Sequence, residues 1–126
     1  MQNLIRRGDA RTTVTPNATM TTLASPTLGG TDGRSLWLAE MSAGVTGPLH
    51  MFDSEQIWTV LDGSVAVAID GESHVLDAGD TLVIPGAAQR QVHATTDCRM
   101  LVSGDGAAIA TVVGEDAPRG TPAWIS

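Results

Sequence analysis

Short β-prone segments separated by closely spaced turn residues are the feature that most limits the folds open to this chain. The segments are rich in Val, Ile, Leu, Thr and Trp, and no stretch keeps a helical apolar period over about twelve residues. Turn residues recur at intervals of roughly eight to twelve residues. They stand at Gly29-Gly30, Asp32-Gly33, Gly44, Gly47-Pro48, Asp62-Gly63, Asp70-Gly71, Gly79-Asp80, Pro85-Gly86 and Gly104-Asp105-Gly106. This spacing predicts an all-β sandwich or barrel of short antiparallel strands.

Alternation within the β-prone segments predicts which side chains share a face. Successive side chains of a strand point to opposite sides, so Gln56, Trp58 and Val60 project from one face of their segment. Further along the chain, the dipeptide Asp70-Gly71 follows a second alternating segment. Glycine accepts a positive φ, which the common two-residue hairpin turns require, so we expect a tight hairpin there.

Length and charge exclude several classes of function. The 126 residues, 42% of them hydrophobic, suffice for one core, and we expect a single domain over residues 1–126. The net charge of −7 opposes binding to nucleic acid and to anionic membranes. No apolar run approaches the roughly 20 residues of a membrane helix, and the N-terminus turns polar before a signal-peptide core develops. We therefore expect neither nucleic acid nor a membrane as a partner.

The single cysteine and the basic residues bear on where the protein works. Cys98 has no second cysteine to pair with, which suits a reducing compartment, and we expect a cytoplasmic protein. All seven basic residues are arginine, so a lysine Schiff base is excluded. Together with the many Ala, Gly, Asp and Thr residues, this composition points to a bacterial origin.

Residues 44–63 resemble the first of two conserved motifs of the cupin family. That motif reads Gly, five residues, His-x-His, three or four residues, Glu, six residues, Gly. This chain fills the frame with Gly44, His50-Met51-Phe52, Gln56 and Gly63. The spacing holds without an insertion or a deletion, although two of the family's side chains are replaced.

Residues 79–94 resemble the second cupin motif, which reads Gly, five residues, Pro-x-Gly, two residues, His. Here Gly79, Pro85 and Arg90 stand at the first, the proline and the histidine positions. Two motifs in register identify the chain as similar to small single-domain cupins. The resemblance implies a cupin-type β-barrel (a double-stranded β-helix or jelly roll) and a homodimer, with Leu4-Ile5 and Trp124-Ile125 as packing elements.

The resemblance also implies where a metal would bind in a cupin, and this chain has changed that site. Carried over by position, the four ligand slots hold His50, Phe52, Gln56 and Arg90. Phe52 cannot coordinate, and the permanent charge of Arg90 repels a cation. We therefore expect no metal cofactor. The alternative is a divalent transition metal on His50, Gln56 and His93, which requires a bulge that turns His93 inward.

Without a metal, the same positions would form an organic site in the barrel. We predict three catalytic side chains: His50 as acid or base, Arg90 as stabiliser of negative charge, and Gln56 as a further polar group. The predicted substrate-binding residues are Phe52, Trp58, Val60 and Val92. In the alternative structural role, Gln56 and Arg90 bond to each other or to the backbone and only fill the barrel.

Three functions are compatible with these residues. The first is a metal-independent isomerase, cyclase or lyase acting on an anionic, aromatic or polyketide-like small molecule. The second is a metal-dependent, dioxygenase-like cupin with the reduced ligand set. The third is a non-catalytic ligand-binding or sensor module, since a fold does not fix a function.

Overall fold

The structure, a computed structural model, describes residues 3–126 and consists of β-strands, with one 3₁₀ turn at Arg7–Asp9. The strands are β1 Arg11–Val14, β2 Thr19–Ala24, β3 Arg34–Met41, β4 His50–Phe52, β5 Gln56–Asp62, β6 Ser64–Ile69, β7 Glu72–Asp77, β8 Thr81–Ile84, β9 Arg90–Ala94, β10 Cys98–Asp105 and β11 Ala110–Val112. The predicted all-β class is confirmed. Within residues 3–126, no helix is long and apolar enough to cross a bilayer.

The strands form two antiparallel sheets that face each other. The six-stranded sheet has the order β1-β2-β3-β10-β5-β8, and the five-stranded sheet has the order β11-β4-β9-β6-β7. Strands β4 and β5 are consecutive in the chain but lie in different sheets, as do β9 and β10. The chain thus crosses repeatedly between the sheets, which is the jelly-roll arrangement that the two motifs predicted.

The predicted local features appear in the strands. Gln56, Trp58 and Val60 are all buried on the inward face of β5. The β6–β7 hairpin turns at Asp70 and Gly71, whose φ values are 48° and 84°. Positive φ at both central residues is the geometry that suits the right-handed twist of the strands.

The last glycine of the first motif has a steric reason. Gly63 has a φ of 82°, and a Cβ atom placed there would lie 2.1 Å from the carbonyl oxygen of Asp97. Any other residue would therefore displace the turn that enters β10. This glycine of the first motif therefore allows the turn after β5 to pass close to the start of β10.

The core lies between the sheets and includes the C-terminal segment. Ile125 is fully buried, and the backbone carbonyls around it accept hydrogen bonds from side chains of the six-stranded sheet. Thr22 donates to the carbonyl of Trp124 at 2.6 Å, and Ser35 donates to that of Ile125. Trp124-Ile125 therefore packs within its own subunit, and Ile125 is not available to a partner, contrary to one predicted dimer contact.

Candidate functional site

A cavity of about 730 Å³ lies between the two sheets. All three tryptophans of the chain line it, together with three of the five methionines. These side chains are Trp37, Trp58, Trp124, Met20, Met41 and Met100. A largely apolar cavity of this size, with few polar groups, is typical of small-molecule sites.

The exposed lining residues mark the mouth of the cavity. We call the segments 14–18 and 119–124 the mouth, because the most exposed lining residues lie there. Val14 is 76% exposed, and Arg119 is also exposed. Phe52, Gln56 and Trp58 also line the cavity and are all buried, and we call this part of the wall the inner end.

His50 begins β4 and is the one imidazole in the cavity wall among the described residues. Its Nδ1 lies 2.9 Å from the carbonyl oxygen of Pro48, which can only accept, so Nδ1 carries a proton. In the neutral ring, Nε2 is then a free acceptor. Burial lowers the pKa of His50, the carbonyl of Pro48 opposes that effect, and the positive charge of Arg90 adds to it. The imidazole is therefore neutral near pH 7 and competent as a base.

Gln56 is held in one orientation by two donors. Its Oε1 accepts from Trp58 Nε1 at 3.1 Å and from an Arg90 terminal nitrogen at 3.4 Å. Its Nε2 is buried and has no hydrogen-bond partner in residues 3–126. Because both neighbours are obligatory donors, the amide oxygen must face them.

Arg90 is fully buried at the start of β9. The guanidinium donates to the carbonyls of Ala88, at 2.9 and 3.2 Å, and Pro85, at 3.3 Å, and it stands 5.5 Å from the centre of the Phe52 ring. Burial lowers the pKa of Arg90 to about 10, opposed by the charge of Asp70, so the group stays protonated at neutral pH.

The turn before β9 is shaped around this guanidinium. Ala87 has a φ of 66°, which is unusual for a residue with a side chain, and its N–H donates to the carbonyl of Phe52 at 2.7 Å. In this turn, the carbonyls of Pro85 and Ala88 accept from Arg90. Arg90 thus bonds to Gln56 and to the backbone, as expected if its role is structural.

The predicted site residues are only partly brought together. His50, Gln56, Phe52, Trp58 and Val92 line the cavity, whereas Arg90 and Val60 do not. Alternation correctly places Val60 and Arg90 on inward faces. Val60 is fully buried in the core, and the Arg90 guanidinium packs against the ring of Phe52. The structure therefore places Arg90 outside the cavity lining, and its catalytic role stays a prediction.

The residues at the four ligand slots do not fit a divalent metal. Phe52 offers no donor atom, Arg90 is a buried cation, and the Gln56 oxygen already accepts two hydrogen bonds. His93 lies on the outward face of β9, is exposed, and has its Nδ1 2.6 Å from Thr46 Oγ1. The structure therefore does not bring His93 to His50 and Gln56, and within residues 3–126 no three His, Cys, Asp or Glu residues form a metal-binding group.

Several lining residues had no sequence signal. Met20, Trp37 and Met100 come from strands outside the two motifs, and Arg119 lies in an irregular segment near the C-terminus. Arg119 forms a two-point ion pair with the exposed Glu115, at 2.9 and 2.6 Å. Inward alternation in β3 and β10 could have suggested Trp37 and Met100, but nothing in the pattern places Met20 or Arg119 at the cavity.

Comparison with known proteins gives a family and a fold. The family model described as Cupin domain matches residues 37–104, which is more than half of the chain and contains both motifs. No curated protein sequence matches this chain.

Two solved structures show the extent of the likeness. Salicylate 1,2-dioxygenase from Pseudoaminobacter salicylatoxidans, as adducts with gentisate, matches with a TM-score of 0.72 and 21% identity over 83% of this chain. This chain spans only 31% of that enzyme. A conserved protein of unknown function from Streptococcus pyogenes matches with a TM-score of 0.60 and 20% identity, over 68% of this chain and 71% of that one. At these identities the likeness shows the fold alone.

Proposed function

This chain belongs to the cupin family, and we propose that it binds an apolar small molecule and uses His50 as acid or base without a metal. The observation that carries the proposal is one neutral imidazole, fixed through Nδ1, in the wall of a largely apolar cavity of about 730 Å³. Its Nε2 makes no hydrogen bond within residues 3–126. Isomerisation, cyclisation and elimination are the reaction classes that such a group serves, because each moves a proton.

The lining supports an aromatic or polyketide-like ligand. The tryptophan rings offer flat apolar faces, and the methionine side chains adapt to irregular shapes. Trp37 and Trp58 come from the six-stranded sheet, and Phe52 and Val92 come from the five-stranded sheet. A flat molecule between the sheets would thus have apolar contacts on both faces.

The test compares variants of two histidines, His50 in the cavity wall and His93 on the outer surface. We expect His50→Gln to lower turnover of a substrate found by thermal-shift screening of aromatic and polyketide-like compounds by at least about 100-fold, while its Kd changes less than about threefold. His93→Gln is the matched control, because His93 is exposed on the outer surface. Equal activity of His50→Gln and the wild type would contradict the role of His50.

A non-catalytic binding module is the second candidate. It is favoured by the hydrogen bonds of Arg90 and Gln56, which are made to other protein groups and leave His50 as the one acid–base group of the cavity wall within residues 3–126. Tight binding of a ligand without turnover or proton exchange at any of its carbon atoms would favour this candidate over the enzyme.

We also propose a homodimer formed by the outer face of the six-stranded sheet. Ile57 and Val83 are cross-strand neighbours on this face and are 39% and 53% exposed, with half-buried Leu101 nearby. On β3, Arg34 and Glu40 are exposed at opposite ends of the same face, so a twofold-related copy can set opposite charges against each other. Light scattering should give the mass of two chains for the wild type and of one chain for Val83→Glu; a monomeric wild type at micromolar concentration would contradict the dimer.

A further inference from the structure

The guanidinium of Arg90 is a buried charge without a counter-charge. It has no accessible surface, and no carboxylate within residues 3–126 lies within 4 Å of its nitrogens. All of its hydrogen-bond partners are neutral oxygens. Buried charges are normally paired, because removing an ion from water without compensation is costly.

The unpaired charge lies one aromatic ring behind the cavity wall. The guanidinium carbon is 5.5 Å from the centre of the Phe52 ring, and Phe52 lines the cavity. A ligand atom in van der Waals contact with the ring from the cavity would then be about 9 Å from the charge, taking about 3.5 Å for that contact. Little water separates the two, since Phe52 and Gln56 are both buried.

The carboxylates near the cavity, including Asp53 and Glu55, are exposed to solvent, which screens their charge more than that of the buried Arg90. His50 is neutral near pH 7, as its lowered pKa requires. Arg119 at the mouth is paired with Glu115, so the pair contributes no net charge. Asp70 attracts the guanidinium, but its carboxylate belongs to the exposed β6–β7 turn and accepts from the Gln89 N–H. Arg90 is therefore a buried, unpaired positive charge at the inner end of a chain whose net charge is −7.

We infer that Arg90 is a built-in cation that selects ligands carrying one anionic oxygen group, such as a carboxylate, enolate or phenolate, on an apolar body. The ligand supplies the missing counter-charge across Phe52. This inference rests on the proposed function, because it needs a ligand in the cavity. By Coulomb's law with an effective dielectric constant of about 20, one unit charge at about 9 Å changes affinity by roughly tenfold to twentyfold.

The test uses two probes of one shape and different charge. Calorimetric titration at pH 7 compares 2-naphthoate, which is anionic, with 2-naphthamide, which is neutral. We expect the wild type to bind naphthoate at least as tightly as naphthamide, although the anion loses more hydration on entering an apolar cavity. Arg90→Met should reduce the naphthoate-to-naphthamide preference about tenfold, and Arg90→Lys should retain most of it.

Arg99→Met is the matched control, since it removes an exposed arginine that does not line the cavity, and it should change the preference less than twofold. Loss of the preference in Arg99→Met, or a wild type that binds naphthamide ten times more tightly, would overturn the inference and leave cavity binding intact. Should Arg90→Met fail to fold, the wild-type preference and its persistence in Arg99→Met decide the question. Binding of neither probe to the wild type would overturn the proposed function as well.

Discussion

The inner end and the mouth of the cavity differ in what their polar groups are bonded to. At the inner end, Arg90 and Gln56 bond to each other, to Trp58 and to the backbone before β9. At the mouth, Arg119 bonds to an exposed carboxylate, and the apolar Val14 is open to solvent. Two of the four family ligand positions, Gln56 and Arg90, are thus bonded into the scaffold, while residues outside the motifs form the entrance. Substitutions at the two ends should separate stability from ligand binding.

The largest difference is expected between two arginines. Arg90→Met removes the donors to the carbonyl of the buried Ala88 and to Oε1 of the buried Gln56, so we expect the free energy of unfolding to fall by about 2–3 kcal/mol. Arg119→Met breaks only an exposed ion pair and should leave the midpoint of urea unfolding almost unchanged. Urea unfolding of both variants measures the difference, and equal losses would contradict the division between the two ends.

Two tryptophans provide the next comparison. Trp58→Phe keeps a ring at the inner end but removes the hydrogen bond to Gln56, so we expect a loss of about 1 kcal/mol in unfolding free energy. Trp124→Phe only trims a half-buried ring at the mouth, so it should cost less stability than Trp58→Phe while weakening naphthoate binding more, by about threefold. Titration and urea unfolding should rank the two variants in opposite orders; the same order in both measurements would count against the comparison.

The pH dependence of stability should show whether burial keeps His50 neutral in the cavity wall. Its pKa is lowered in the folded protein, so just below pH 6.5 the unfolded chain binds more protons than the folded one. This group therefore contributes a loss of stability as the pH falls below about 6.5, and His50→Gln should flatten that part of the curve. An unchanged slope in the variant would show that the imidazole is not held neutral.

The smallest expected effect is at the strained turn of the inner end. Ala87→Gly relieves a positive φ without touching Arg90, and we expect a gain of about 0.5 kcal/mol. Thermal and urea unfolding can resolve such a change when both proteins are measured together. A loss greater than about 1 kcal/mol would mean that packing of the Ala87 methyl group contributes more stability than its positive φ costs.

The sequence predicted the scaffold better than the site, and particular residues show why. Gly63 and the alternation of Gln56, Trp58 and Val60 depend on local backbone geometry, which spacing reveals. The location of Arg90 depends on where a long side chain ends after entering the barrel, and alternation states only that it points inward. Arg119 reaches the mouth through an irregular segment, and irregular segments carry no period from which to predict contacts.

The most direct test of the ligand site uses the three tryptophans, because every tryptophan of the chain lines the cavity. In a ¹⁵N-labelled wild type titrated with 2-naphthoate, the indole N–H signals of Trp37, Trp58 and Trp124 should shift together. The backbone amide of Val83, on the outer face of the six-stranded sheet, should not move. Saturating probe that leaves the indole signals in place, or that shifts Val83 instead, would contradict a ligand site between the sheets.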